Sequence, residues 1–145
     1  MNNTLPQKQF SHLVELLQSR STHIPEIPIY TFLLDGETQE IRLTSEQLDR
    51  QARIIGAKLQ QITAVGERAL LLYPPGLDYI KAFFGCLYAG LIAVPVYPPD
   101  PTRLQRTLPR LQGIITDAQP RVVLTSTPVL QMAEALFSQG KEWQD

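Results

Sequence analysis

The chain has 145 residues, 43% hydrophobic and 19% charged, a balance that excludes a disordered chain and makes one globular domain with a real core the first expectation. Thirteen basic and fourteen acidic side chains leave a net charge near zero, which removes the electrostatic case for a nucleic acid, an anionic membrane or a highly charged partner. Met1 to Gln9 lacks the charged and then apolar stretch of a secretory signal, so a cytoplasmic chain is expected.

In chain order, Phe10, Leu13, Val14, Leu16 and Leu17 recur at helical spacing and predict a short amphipathic helix that fades at Ser19 to Ser21. Pro25 and Pro28 stiffen the approach to a β-rich strand, Ile29 to Leu34. Asp35-Gly36 predicts a tight hairpin turn into Glu40 to Leu43, a two-stranded unit distinct from the sheet that follows. Thr44 with Gln47 forms a capping-box pattern. The helix it opens has an apolar face of Leu48, Ala52, Ile55, Leu59 and Ile62, and a watered face of Glu46, Asp49, Arg50, Arg53 and Lys58. Val65-Gly66-Glu67 then turns the chain into the strand Ala69 to Leu72.

The next helix, Leu77 to Ala89, is apolar around almost its whole circumference and must be covered on more than one side. Such a buried-type helix suggests that part of its cover is missing from this chain. Asp78 in the first turn suits the helix dipole, and Lys81 reads as an edge residue whose ammonium reaches water. The one cysteine, Cys86, has no histidine or basic cluster beside it and reads as a small buried hydrophobe. Ala82 to Tyr97 is free of charge, yet it is shorter than the ~20 residues of a membrane span and is broken by Gly85, Gly90 and Pro95. It reads as a buried helix turning at Gly90 into a buried parallel strand.

A further helix is predicted from Thr102 towards Ala118, kinked or divided by Pro109, with Leu104, Leu108, Leu111 and Ile115 as its buried stripe. Arg103, Arg106 and Arg110 share another side, and with no surrounding positive charge they read as a solvated face rather than a nucleic-acid site. Arg121 to Thr125 is the third strand. A last helix from Pro128 carries Val129, Met132, Ala133, Leu136 and Phe137 and loses its pattern from Gly140 to Asp145. His12 and His23 have no ligand-spaced partners, so no metal site is expected.

The fold class that follows is α/β: a partial parallel sheet with right-handed helical connections, plus an amino-terminal helix and β-hairpin. The first two parallel strands each end in the same words, Tyr73-Pro74-Pro75-Gly76 and Tyr97-Pro98-Pro99-Asp100. Loops leaving the carboxyl ends of such strands line the ligand crevice, so both turns are expected at one rim. Proline has no N–H, so they build wall rather than a phosphate cradle. At the third strand end, Thr125-Ser126-Thr127-Pro128 carries hydroxyls but no glycine and no following lysine, and it reads as a helix cap.

The wording LLLYPPGLDYIKAFFGCLYAGLIAVPVYPPDP, followed by LPRLQGIITDAQPRVVLTS, closely resembles the opening part of the fatty acyl-AMP ligases. These belong to the adenylate-forming superfamily of acyl-CoA synthetases and luciferases. The resemblance takes in LVELLQSR, IPIYTFLLDGETQEIRLT and EQLDRQARIIGAKLQ upstream, and runs from Phe10 to about Leu136. Ser45 departs from it, standing where the family more often has an aromatic residue.

The resemblance implies the N-terminal portion of the adenylate-forming fold, with residues 1–145 as one incomplete subdomain and no separate second domain. It implies ATP and Mg²⁺ as cofactors of the full-length family. A carboxylate attacks the α-phosphate of ATP to give acyl adenylate and pyrophosphate, and the acyl group commonly passes to an acyl carrier protein. The family's nucleotide loop and lysine match no residue here, so catalytic, cofactor-binding and metal-binding residues are all assigned as none. Two expectations stand: an N-terminal piece of a ligase, inactive alone and partnered by the remainder of the ligase fold, or a stand-alone α/β module binding an apolar ligand or protein at the Tyr-Pro-Pro rim.

Overall fold

A computed structural model describes residues 9–140, with side chains through residue 135. The readings of Met1 to Lys8, of the tail after Gly140, and of the Leu136 and Phe137 side chains lie outside these described residues. The elements are α1 (Leu13–His23), β1 (Pro28–Leu33), β2 (Glu40–Thr44), α2 (Ser45–Gln60), β3 (Arg68–Leu72), α3 (Leu77–Ala89), β4 (Ile92–Val96), α4 (Leu104–Ala118), β5 (Val122–Thr125) and α5 (Thr127–Gly140). A 3₁₀ turn, Pro101–Arg103, precedes α4.

The α1 helix does not fade at Ser19. It continues to His23 because local side chains satisfy its last carbonyls: the Thr22 hydroxyl donates to Gln18 O, and His23 Nδ1 lies 2.7 Å from Ser19 O. The β1–β2 hairpin is antiparallel and forms its own sheet. Its connection is longer than a two-residue turn, because the Asp35 carboxylate organises residues 34–39. It accepts from the backbone N–H groups of Glu37, Thr38 and Gln39 and from the Thr38 hydroxyl. The Thr38 hydroxyl and these N–H groups hold the Asp35 carboxyl well below its ordinary pKa.

The α2 helix opens at the expected capping box: Thr44 Oγ1 accepts from Gln47 N, and the Gln47 side chain accepts from Thr44 N. Leu48, Ala52 and Leu59 are buried, whereas Ile62 lies past the helix and is exposed. Asp49, expected in water, is buried against α3.

The second sheet is three-stranded and parallel, in the order β4-β3-β5. The chain therefore moves one way from β3 to β4 and the other way from β4 to β5. With right-handed crossovers this puts α3 and α4 on opposite faces. The α4 end is pinned to the sheet by the Arg68 guanidinium, which donates to Ala118 O. On the edge strand β4, Ile92 N–H points to β3, donating to Glu67 O. Alternation then turns Pro95 outward, where its missing N–H breaks no ladder bond.

Cover for α3 comes from this chain itself. On one side it packs with the sheet and the end of α2 through Leu59, Ala69, Leu71, Ala82, Cys86, Ala89 and Leu91. On the other it meets α1, β2 and α2 through Leu17, Leu43, Leu48, Ala52 and Phe84. The expectation of missing cover over α3 is thus corrected. Within the parallel sheet, the uncovered side chains are instead on the α4 side, where Ile92 is 52% and Val123 50% exposed.

Helix α2 approaches α3 closely because both present glycine. A Cβ on Gly56 would stand 3.0 Å from Tyr88 Cβ, and one on Gly85 would press on Ile55 Cγ2 and lie 2.7 Å from its Cβ. Pro109 does not divide α4, which is one helix with Pro109 inside, on its exposed side. Its inward stripe ends on Ile114 rather than Ile115, which is 40% exposed.

Candidate functional site: an apolar groove at the strand ends

The first Tyr-Pro-Pro turn and the tyrosine that opens the second line one groove of about 510 Å³. Tyr73, Pro74, Pro75 and Gly76 come from the β3 end, Pro95, Val96 and Tyr97 from the β4 end, and Leu77, Tyr79 and Ile80 from the first turn of α3. The shared rim expected from the sequence is present, although Pro98 and Pro99 stand outside the lining. A third wall was not foreseen: Tyr30, Thr31 and Phe32 of β1 close the groove from the separate hairpin. No local pattern could reveal it, since it depends on how two sheets meet.

The strand ends are held from within. Thr125 Oγ1 donates to Leu72 O at 2.7 Å, tying β5 to the start of the first Tyr-Pro-Pro turn. Gly76 has φ +155, at the limit of what an L side chain adopts, and sets the path from the turn into α3. Burial, with the nearby Asp78 carboxylate, pushes the Tyr73 hydroxyl up to about 12, so it stays a neutral donor across physiological pH.

These surroundings suit an apolar or aromatic group and do not fit a nucleotide phosphate. The lining offers Pro74, Pro75 and Pro95 where main-chain donors would be needed. Thr127 is followed by Pro128, and Ser126 Oγ is buried with no hydrogen-bond partner among the described residues. Asp78 pairs with Lys81 at 3.2 Å in the first turn of α3. Among the described residues no cluster of three His, Cys, Asp or Glu side chains could hold a metal ion, and no helix is long and apolar enough to cross a membrane.

The other residues singled out from the sequence lie away from the groove. His12 caps α1, its Nδ1 accepting from Glu15 N at 3.1 Å. Cys86 is fully buried in the core, and burial pushes its thiol up to about 11, which makes it inert. Arg106 and Arg110 are exposed on α4, and Arg103 is exposed in the 3₁₀ turn before it. A cluster the sequence reading missed joins α2 to α3: the Tyr88 hydroxyl donates to Asp49, which also accepts from Arg53 Nε at 2.8 Å. The Arg53 guanidinium lies 5.8 Å from the Tyr88 ring centre.

A parallel layer with an apolar crevice at its strand ends, joined to an amino-terminal helix and hairpin, matches the N-terminal part of the adenylate-forming fold as solved in a fatty acid AMP ligase. Residues 18–144 match the AMP-binding enzyme family, and the chain belongs to that family. The medium-chain-fatty-acid acyl-carrier-protein ligase JamA of Moorena producens is 50% identical over 121 residues, covering 83% of this chain and 20% of that protein. Disco-interacting protein 2 homolog A of Homo sapiens is 35% identical over 127 residues, covering 86% of this chain and 8% of that one. The crystal structure of the fatty acid AMP ligase from Legionella pneumophila superposes with a TM-score of 0.78 at 42% identity, over 86% of this chain and 21% of that one. The likeness is therefore to the N-terminal part of fatty acyl-AMP ligases, and the chain spans about a fifth of the ligases' length, 20% and 21%.

Proposed function

We propose that residues 1–145 serve as one incomplete N-terminal subdomain of a fatty acyl-AMP ligase, inactive alone. The whole fold would activate a fatty acid with ATP to an acyl adenylate and pass the acyl group to a carrier protein. The observation that carries this reading is the joint match in sequence and fold to the Legionella ligase, 42% identity at a TM-score of 0.78. That ligase's fold has also been seen with acyl adenylate and pyrophosphate.

In this reading the chain contributes architecture. It supplies the β4-β3-β5 layer, the buried helix α3, and the rigid wall of Tyr73 to Gly76 and Tyr97 beside the hairpin residues Tyr30 and Phe32. Adenylate chemistry rests on neutralising and positioning phosphates, usually with cationic side chains and Mg²⁺. Because the strand-end residues of this chain do not fit that task, ATP and Mg²⁺ are assigned to the remainder of the ligase fold. The stand-alone binding module, which would use the same groove, is the less favoured reading.

Complementation tests it. The purified chain should show no fatty-acid-dependent ATP–pyrophosphate exchange, and exchange should appear when it is co-expressed with a related ligase from which the matching N-terminal segment has been removed. Failure of any such pair to exchange, with the two polypeptides demonstrably associated, would sink the proposal.

A further inference from the structure

The exposed side of α4 and the turn before it carry positive charge with no ion-pair partner among the described residues. Arg103, Arg106 and Arg110 are all exposed: Arg106 and Arg110 stand about one turn apart on α4, and Arg103 ends the 3₁₀ turn at the helix N-cap. Among the described residues none of the three has an ion-pair partner, whereas Arg42, Arg50 and Arg53 pair with Glu40, Glu46 and Asp49. Asp100 is the acid that feels Arg103. Its oxygen is already taken by the Thr102 N–H and hydroxyl, which are the larger causes of its lowered pKa. Asp117, two turns beyond Arg110 on the same side, ends the stripe.

The stripe is also placed with respect to the groove. Tyr97 lines the groove, and Pro98, Pro99 and the 3₁₀ turn lead directly from it into Arg103. The arginines therefore follow, six residues along the chain, a residue that lines the groove. A net charge of −1 provides no long-range field for a polyanion such as nucleic acid, but it does not oppose a short row of matched contacts. The two guanidinium forks one turn apart on α4, with a third at its N-cap, complement carboxylates presented along a helix.

We propose that the outer face of α4 is a docking surface for the acidic helix of a carrier protein, seated so that the carrier's acyl-bearing arm reaches the rim at Tyr97. The inference rests on the ligase reading, which supplies a carrier as partner. It goes beyond that reading in locating the contact on Arg103, Arg106 and Arg110.

The test is fluorescence anisotropy of a labelled acidic acyl carrier protein titrated with the full chain. The triple change Arg103→Gln, Arg106→Gln, Arg110→Gln should weaken binding by about tenfold or more and flatten its salt dependence. A charge-matched control, Arg20→Gln, Arg42→Gln, Arg50→Gln, should change it by less than about twofold. Equal loss in both variants, no binding by the unaltered chain, or tighter binding of duplex DNA than of the carrier through the same arginines would overturn the proposal. Should the triple variant misfold, Arg106→Glu alone, paired with a carrier bearing a lysine in place of one acidic residue, should restore binding that either change alone removes. Exchange activity after complementation is read separately, without carrier: exchange with no effect of the arginines on carrier binding sinks the docking surface alone, and arginine-dependent binding without exchange sinks the ligase reading alone.

Discussion

The Tyr88 hydroxyl on α3 donates its hydrogen bond to the Asp49 carboxylate on α2, joining residues 39 apart in sequence where the two helices cross. Asp49 also accepts from Arg53 Nε at 2.8 Å, and Arg53 in turn lies against the Tyr88 ring. The cluster links the cores on the two sides of α3. Tyr88→Phe removes one bond to a charged acceptor and leaves the Arg53 pair intact, and it should cost about 1.5 kcal/mol. Urea unfolding checks this, and an unchanged midpoint would mean the bond contributes nothing.

Gly85→Ala should destabilise despite the better helix propensity of alanine. The gain from propensity is about 1 kcal/mol, whereas the new methyl meets the Cβ and Cγ2 of Ile55, a β-branched side chain fixed on α2. Overpacking of this kind costs about 1–3 kcal/mol, so the net loss should be small but real. Gly85→Ala with Ile55→Ala should recover part of it, and a double-mutant cycle in urea reads the coupling.

Alkaline stability follows from three groups that the fold keeps protonated. Burial raises the Cys86 thiol from 9.0 to about 11 and the Tyr73 hydroxyl from 10.0 to about 12, and it raises Tyr88 further, helped by Asp49. In the unfolded chain these protons leave at the ordinary values, so above pH 9 the folded state binds more protons than the unfolded one. Their contribution is fully present below pH 9 and is lost as pH rises through about 11 and 12. The urea midpoint should fall over that range, with Cys86 closed to thiol reagents until unfolding. A midpoint that holds level to pH 12 would contradict the buried placement of these groups.

Ser45 is fully buried at the start of α2, and its Oγ has no hydrogen-bond partner among the described residues. A buried hydroxyl left unpaired costs about 1–3 kcal/mol, so Ser45→Ala should raise stability by about 1 kcal/mol. Thermal melting decides it. A loss of similar size would show that the hydroxyl is paired.

Features with local causes were legible from the sequence. The Thr44–Gln47 capping box and the bounds of α3 between Gly76 and Gly90 are written in neighbouring residues, and the structure has them where expected. Features made by tertiary approach were not. Asp49 looks like a surface acid until Tyr88 arrives from α3, the hairpin becomes a groove wall only when Tyr30 and Phe32 meet the sheet, and the cover over α3 lies in α1 and α2. The shared rim of the two Tyr-Pro-Pro turns was legible because parallel topology alone places it.

The central claim is that this chain is part of a larger ligase fold and not a self-sufficient module. Its three-stranded sheet has two open edges and leaves Ile92 and Val123 half exposed. Exposed apolar area is worth about 25 cal/mol per Å², enough over a few hundred Å² to rival a domain's whole stability. Thermal melting of the chain with and without the remainder of a related ligase tests the claim most directly. The account predicts a marginal transition with hydrophobic-dye binding for the chain alone, and a higher, sharper transition without dye binding once the remainder is present. A sharp, high-temperature transition of a dye-free monomer, unmoved by the remainder, would contradict it.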